Sequence, residues 1–218
     1  MPFNDLSLDP RLMRSVQHLG FVKPTDIQQE AIPAVMVGRD LIVSSQTGSG
    51  KTLAYLLPMM QRLLKSRPLS KRDARALILA PTRELARQVY AQLRLFVANT
   101  PLTSALIVGG ENFNDQEKLL KREPAIIVAT PGRFVDHLEH KSVFINGLEM
   151  LILDEAVAAL DPLVQKLVLE MLLDLQKTRG LSYVFITHNL EVARAISHRI
   201  IYLEKGEKKA LPAEWMRV

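Results

Sequence analysis

Cysteine is missing from the whole sequence of 218 residues, which excludes disulfide bonds and thiolate metal sites and is compatible with a reducing compartment. No apolar run approaches the roughly 20 residues of a membrane-spanning helix. Residues 1–16 contain acids and no apolar core, unlike a secretory signal. From these absences we expect a cytoplasmic protein without a membrane span.

The sequence also lacks internal repeats, low-complexity stretches and flexible linkers, so we expect one domain over residues 1–206 and a short tail at residues 207–218. A strong charge imbalance is missing too: 28 basic and 23 acidic residues give a formal net charge of +5. This small excess permits an anionic partner without requiring one, because a solvated surface of mixed charge accounts for the composition equally well.

Short apolar runs alternate with longer helical patterns along the chain. Most of the runs are continuous rather than alternating in polarity, which is typical of strands buried on both faces of a parallel sheet. The sequence therefore predicts an α/β fold with a mainly parallel sheet of about seven strands between helical layers. The runs occupy residues 40–44, 75–80, 104–108, 125–129, 150–153, 182–187 and 199–203.

Several helix ends can be placed from the sequence. Asp9-Pro10 and Asp161-Pro162 each combine an N-cap acid with proline at the first helical position. Thr25 begins a capping box that Gln28 completes, and Gly20 fits as a helix stop.

Residues 45–52 read Ser-Gln-Thr-Gly-Ser-Gly-Lys-Thr, between a predicted strand and a predicted helix. In this context the glycines allow backbone N–H groups to surround phosphate oxygens, Lys51 lies against the β and γ phosphates, and the Thr52 hydroxyl binds Mg²⁺. The alternative is a glycine turn that only joins the strand to the helix. One departure is Ser45, where the strict pattern has glycine.

The run at residues 150–153 ends in two carboxylates, which is the usual complement to a phosphate loop. Asp154 is expected to hold Mg²⁺, and Glu155 to orient or deprotonate the attacking water. The alternative is that the two acids only cap the next helix.

With these motifs, residues 1 to about 156 resemble the first RecA-like domain of a DEAD-box RNA helicase. Phe3, Gly20-Phe21, Pro24-Thr25 and Gln28 match the adenine-reading motif of that family. The resemblance implies a three-layer RecA-like P-loop domain that binds ATP or ADP with Mg²⁺. The nucleotide contacts that it implies are Phe3, Phe21, Lys23, Thr25, Gln28, Ser45, Gln46, Thr47, Gly48, Ser49, Gly50, Lys51 and Thr52.

Residues 81–86, 109–110 and 130–133 match the RNA-backbone motifs of the same family. The resemblance implies an RNA phosphate track, which suits arginines, hydroxyls and exposed N–H groups. Its expected members are Pro81, Arg83, Gly110, Thr130 and Arg133. Taken singly, each has a simpler structural role: Gln28 serves only its capping box, Thr82 is an N-cap, and the glycines form plain turns.

The last third departs from the helicase pattern. Val157 stands where the family has aspartate, the Ser-Ala-Thr motif is missing, and the sequence contains no second RecA-like domain with its arginine finger. Residues 154–206 instead resemble the end of an ABC-transporter ATPase, with Asp161 in its D-loop and His188 as its γ-phosphate-sensing histidine. The signature motif of that family is absent, and His188 could equally be a neighbour of a helix cap.

The two resemblances together indicate a chimera of a helicase-like part (residues 1–153) and an ABC-like part (residues 154–206). Residues 182–187 are then expected to form a strand between the phosphate-loop strand and the strand before Asp154. We expect an ATP- and Mg²⁺-binding domain with weak hydrolysis, no unwinding by itself, weak RNA binding and a monomeric state. Its expected catalytic residues are Lys51, Glu155 and His188; the alternatives are an inactive scaffold and a dimeric ABC-type ATPase.

Overall fold

The computed structural model describes residues 2–37, 41–44, 50–68, 73–154, 182–186, 200–204 and 207–208. Helical segments occupy Phe3–Leu6 (a 3-10 turn), Pro10–His18 (α1), Asp26–Met36 (α2), Lys51–Lys65 (α3), Arg83–Val97 (α4), Phe113–Leu120 (α5) and Pro131–Glu139 (α6). Strands occupy Leu41–Ser44 (β1), Ala76–Leu79 (β2), Ser104–Ile107 (β3), Ile126–Ala129 (β4), Met150–Asp154 (β5), Ser182–Ile186 (β6), Ile200–Glu204 (β7) and Glu207–Lys208 (β8).

The strands form one sheet in the order β3-β4-β2-β5-β6-β1-β7-β8. All pairs among the first seven strands in chain order are parallel, and β8 pairs antiparallel with β7. The predicted α/β class with a mainly parallel sheet is therefore confirmed. The described part of the chain has eight strands rather than about seven, because a two-residue hairpin strand forms inside the segment that the sequence assigned to the tail.

The strand β6 lies between β1 and β5, as the sequence predicted for residues 182–187. Leu41 is in register with Val184 on one side, and Asp154 is in register with Ile186 on the other. Since parallel strands end at the same edge of a sheet, the carboxyl end of β6 lies between the end of the phosphate-loop strand and Asp154.

The strands β2, β4 and β5 are buried along their whole length, which is why their apolar residues do not alternate with polar ones. Helices cover both faces of such a sheet, giving the three-layer arrangement. The core contains the largest fully buried side chains, among them Leu12, Ile32, Leu56, Met59 and Phe96.

The predicted helix ends on described residues are confirmed. Asp9 is the N-cap of α1, where its Oδ1 accepts a hydrogen bond of 2.9 Å from the N–H of Arg11. Thr25 and Gln28 form the capping box of α2. Gly20 follows α1 with φ +77°, a left-handed conformation that favours glycine. The predicted helix start at Asp161-Pro162 lies outside the described residues.

None of the helices in the described ranges combines the length and the apolar character that crossing a bilayer requires.

Candidate nucleotide and RNA sites

The helix α3 begins where the phosphate loop ends. Gly50 is its N-cap with φ +87°, and Lys51 and Thr52 form its first turn. A Cβ at Gly50 would lie 2.6 Å from Nε2 of Gln28 and 3.0 Å from Oγ1 of Thr25, so this position needs glycine for space as well as for conformation. The positive end of α3, which starts at Lys51, is the kind of helix start that favours an anion.

Gln28 joins the adenine-reading motif to this turn. Its Oε1 accepts a hydrogen bond of 3.1 Å from the N–H of Thr25, which is half of the capping box. Its Nε2 donates a hydrogen bond of 3.2 Å to the carbonyl of Gly50, 22 residues away. Gln28 therefore does more than cap α2, although it does that as well.

A pocket of about 490 Å³ opens in front of these residues. It is lined by Phe21, Lys23, Thr25, Gln28, Gly50, Lys51, Thr52 and Asp154, and on α4 by Leu85, Gln88 and Gln92. The structure thus brings together most of the nucleotide-contacting residues that the sequence singled out. Phe3 is separate from them: it lies in the hydrophobic core with 3% of its surface exposed, whereas Phe21 is 40% exposed at the pocket.

Asp154 ends β5 and is buried, with 6% of its surface exposed. Its Oδ2 accepts a hydrogen bond of 3.0 Å from the phenol of Tyr55 on α3. Burial, together with the charge of Asp154, raises the pKa of the Tyr55 phenol well above its usual range. No motif in the sequence singles out Tyr55, which stands three residues after Thr52 on the same helix.

The donors at this end of the pocket fit Mg²⁺. The hydroxyl of Thr52 and the carboxylate of Asp154 are the hard oxygen ligands that Mg²⁺ prefers, and this ion is usually held by one or two protein oxygens together with phosphate and water. The tight packing around Gly50 holds the adjoining helix start in place.

The residues expected along an RNA track meet at the carboxyl ends of β2, β3 and β4, which are neighbours in the sheet. Arg83 starts α4, after the N-cap Thr82, whose Oγ1 accepts a hydrogen bond of 3.2 Å from Leu85. The guanidinium of Arg83 lies against Gly110, where φ is +78° and a Cβ would collide with Nη1. Thr82 is thus an N-cap, which is the simpler role that the sequence left open for it. Arg83, by contrast, packs against Gly110 and is not an isolated surface charge.

Thr130 and Arg133 reach the same turn from α6. The Oγ1 of Thr130, the N-cap residue of α6, accepts a hydrogen bond of 3.3 Å from the N–H of Gly109. Arg133 donates through Nη2 to the carbonyl of Glu111 at 3.1 Å. Pro81 is half-buried in the connection between β2 and α4.

A buried cluster that sequence reasoning missed supports this turn from behind. Gln116 donates through Nε2 to the carbonyl of Val108 at 2.7 Å, and its Oε1 lies 3.1 Å from Nε2 of His137. Phe113 stacks on His137, with ring centroids 4.1 Å apart. The residues that meet at His137 come from different helices, and no short motif signals the cluster.

Three groups of predicted site residues lie outside the described residues: positions 45–49 of the phosphate loop (Ser45, Gln46, Thr47, Gly48 and Ser49), Glu155, and the ABC-like positions Asp161 and His188.

Comparisons with known proteins agree with this geometry. The family model described as "DEAD/DEAH box helicase" matches residues 25–187. The ATP-dependent RNA helicase DRS1 of Candida glabrata is 40% identical over 199 residues, which are 89% of this chain and 27% of that protein. The probable ATP-dependent RNA helicase ddx27 of Dictyostelium discoideum is 46% identical over 160 residues, which are 73% of this chain and 20% of that protein.

Among solved structures, the "DEAD-box helicase Mss116 bound to ssRNA and UDP-BeF" matches with a TM-score of 0.80 and 26% identity. The match covers 93% of this chain and 45% of that one. This chain thus spans less than half the length of these relatives. The family match continues past residue 154, where the sequence placed the start of an ABC-like part. The chain belongs to the DEAD/DEAH box helicase family.

Proposed function

We propose that this chain is the ATP- and Mg²⁺-binding core domain of an RNA helicase, formed by residues 1–206, with weak hydrolysis and no unwinding by itself. The observation that carries the proposal is the hydrogen bond from Gln28 to Gly50 at the wall of a pocket that also holds Lys51, Thr52 and Asp154. One amide thereby joins a base-reading element to a phosphate-binding element.

The chemistry of Gln28 suits adenine. A side-chain amide has two N–H donors and two lone pairs on oxygen, and the contacts with Gly50 and Thr25 use one of each. A second N–H and a second lone pair match the N7 acceptor and the N6 donor of adenine. Phe21, exposed at the pocket rim, supplies an apolar surface for the base.

Lys51 and the start of α3 would hold the phosphates, and Thr52 and Asp154 would hold Mg²⁺. When bound, the metal neutralises phosphate charge during transfer. Glu155, next in the chain, is proposed to orient the attacking water. Hydrolysis is proposed to be weak because Val157 replaces an acid of the family motif and these 218 residues supply no arginine finger, which contributes roughly 10³–10⁵ in rate in related systems.

The second proposed surface is the turn at residues 109–111. Arg83 and Arg133 supply cations beside it, and Thr130 supplies a hydroxyl, which is the chemistry of a phosphate-backbone contact. RNA binding by this chain alone is proposed to be weak, because the relatives that it resembles are much longer.

An ABC-type origin of residues 154–206 stays a prediction. The position of β6 between β1 and β5 suits either family, and Asp161 and His188 would carry the distinction. A dimeric ABC-type ATPase is the alternative that these two residues favour, and an inactive scaffold is the other. A monomeric state and a cytoplasmic location likewise stay predictions.

The test is thermal stability with and without Mg·ADP in the parent and in Lys51→Ala. Ligand at a hundred times its dissociation constant should add about 2.7 kcal/mol to the free energy of unfolding. The matched control is Lys65→Ala, because Lys65 is exposed at the other end of the same helix. We expect the ligand-induced shift in the parent and the control and its loss in Lys51→Ala. A cooperative melt without a shift in the parent would favour the scaffold.

A further inference from the structure

Tyr55 forms a buried hydrogen bond to the carboxylate proposed for the metal. Its side chain is 1% exposed, and its hydroxyl donates to Oδ2 of Asp154 at 3.0 Å. Thr52, whose hydroxyl is the other oxygen proposed for the metal, lies one turn earlier on α3. Tyr55 thus joins the helix that carries Thr52 to the strand that ends in Asp154.

The direction of this hydrogen bond follows from chemistry. An ionised carboxylate only accepts, so the single phenol proton goes to Oδ2 of Asp154. The phenol therefore holds one side of the carboxylate whose oxygens are proposed to bind the cation.

We propose that Tyr55 is a positioning residue for the magnesium site, which orients the Asp154 carboxylate toward the metal. The inference rests on the proposed function, since it assumes that nucleotide and Mg²⁺ bind in this pocket. The phenol fixes the plane of the carboxylate before the metal binds. Mg²⁺ demands near-ideal octahedral geometry, so preset ligands should matter more to it than to the nucleotide.

Burial supports this role, because the phenol and the carboxylate meet away from solvent, where Tyr55 is 1% exposed and Asp154 is 6% exposed. A tyrosine that only fills the core would not need to place its hydroxyl against a buried carboxylate, because phenylalanine fills the same space without a polar atom.

The test is the affinity for ADP, measured by titration calorimetry once in excess EDTA and once in excess Mg²⁺. The variant is Tyr55→Phe, which removes one oxygen and keeps the ring. The matched control is Tyr90→Phe, because the Tyr90 hydroxyl also makes one hydrogen bond, 3.2 Å to the carbonyl of Ser104. The quantity compared is the ratio of the Kd in EDTA to the Kd in Mg²⁺.

In Tyr55→Phe we expect this ratio of Kd values to fall about tenfold, because a hydrogen bond to a charged group contributes at least a factor of ten to an equilibrium constant. If the parent ratio is below ten, we expect the ratio in the variant to fall to one. The Kd in EDTA should stay within about twofold of the parent, as a role confined to the metal requires. Tyr90→Phe should keep both values. An unchanged ratio in Tyr55→Phe overturns the inference and leaves the proposed function intact. A loss of ADP affinity that is equal in EDTA and in Mg²⁺ does the same, because it indicates a general structural role for Tyr55.

Absence of ADP binding by the parent under both conditions overturns the proposed function and the inference with it. A second measurement covers the case of a Tyr55→Phe chain that does not fold. The sequence has four tyrosines, and carbon-13 labels at their ζ positions give one signal each in the parent. Adding Mg²⁺ to the ADP complex should shift the Tyr55 signal, and no movement of any tyrosine signal overturns the proposal.

Discussion

Replacing Gln116 by leucine should destabilise the protein by about 2–4 kcal/mol. Gln116 is 2% exposed, and its amide binds the carbonyl of Val108 and the imidazole of His137. Leucine keeps most of the volume but leaves two buried polar groups without a partner, and each such group costs about 1–3 kcal/mol. The gain from a more apolar side chain offsets part of that loss.

The network also fixes the state of His137. The carbonyl of Val108 only accepts, so the NH₂ group of Gln116 faces it and the amide oxygen faces His137. The Nε2 atom of His137 must therefore carry a proton. The Nδ1 atom is buried and makes no hydrogen bond to any part of the chain that the structure describes. A proton there would create a buried charge without a partner.

Burial lowers the pKa of His137 below its usual range, and the charge of Arg133 lowers it further. Asp136, Glu117 and His140 also face the ring, the first two opposing this shift and the third adding to it. Because the folded pKa is below that of the unfolded chain, about 6.5, the unfolded state binds the proton first as the pH falls. The stability from neutral His137 is complete above that pH and decreases as the pH falls toward the folded pKa.

Urea unfolding of Gln116→Leu at pH 7.5 tests the magnitude. The matched control is Gln88→Leu, because Gln88 is exposed and its amide donates to Glu84 within one turn of α4. We expect less than about 0.5 kcal/mol there. A loss below about 1 kcal/mol in Gln116→Leu would refute the reasoning. The free energy of unfolding should fall more between pH 7.5 and pH 5.5 in the parent than in His137→Gln.

Two further changes test local geometry. Gly110→Ala should lower the free energy of unfolding by about 1–2 kcal/mol, because the backbone there is left-handed. The added Cβ should also displace Arg83 and weaken RNA binding, measured by gel-shift titration. The control is Gly132→Ala, where a Cβ meets nothing within 4 Å and stability should change little. Asp9→Ala should cost about 1 kcal/mol in urea unfolding as a lost N-cap. Arg11 holds the pKa of Asp9 at about 2, so this cap should persist above pH 4 and be lost as the pH falls toward 2.

The parallel sheet was predictable because its strands are buried on both faces. Short, continuous apolar runs between helical patterns are typical of such strands, and all seven coincide with strands to within about a residue. Local caps such as Asp9 and Thr25 were predictable because the interaction spans only two or three residues. The strand β8 was not, because two residues paired across a hairpin carry no pattern of polarity.

The residues that line the pocket could be named from the sequence where they form short motifs, and not where they meet only through the fold. Tyr55 and Asp154 are 99 residues apart, and only the packing of α3 against the sheet brings them together. Gln116 and His137 lie on different helices. Phe3 differs in the other direction: the resemblance implied a nucleotide contact there, whereas Phe3 lies in the 3-10 turn Phe3–Leu6 and packs into the core.

The helix α4 contributes residues to both proposed sites. Its residues Leu85, Gln88 and Gln92, spaced three and four apart, line the nucleotide pocket, so they form one face of the helix. Arg83 and Arg87, four apart on another face, contact Gly110 and Glu111 in the turn proposed for RNA. Because of the 3.6-residue period, these two sets of residues lie on different faces of the same helix. A shift of α4 would change both surfaces at once, which gives a physical basis for linking nucleotide binding to RNA binding in this chain.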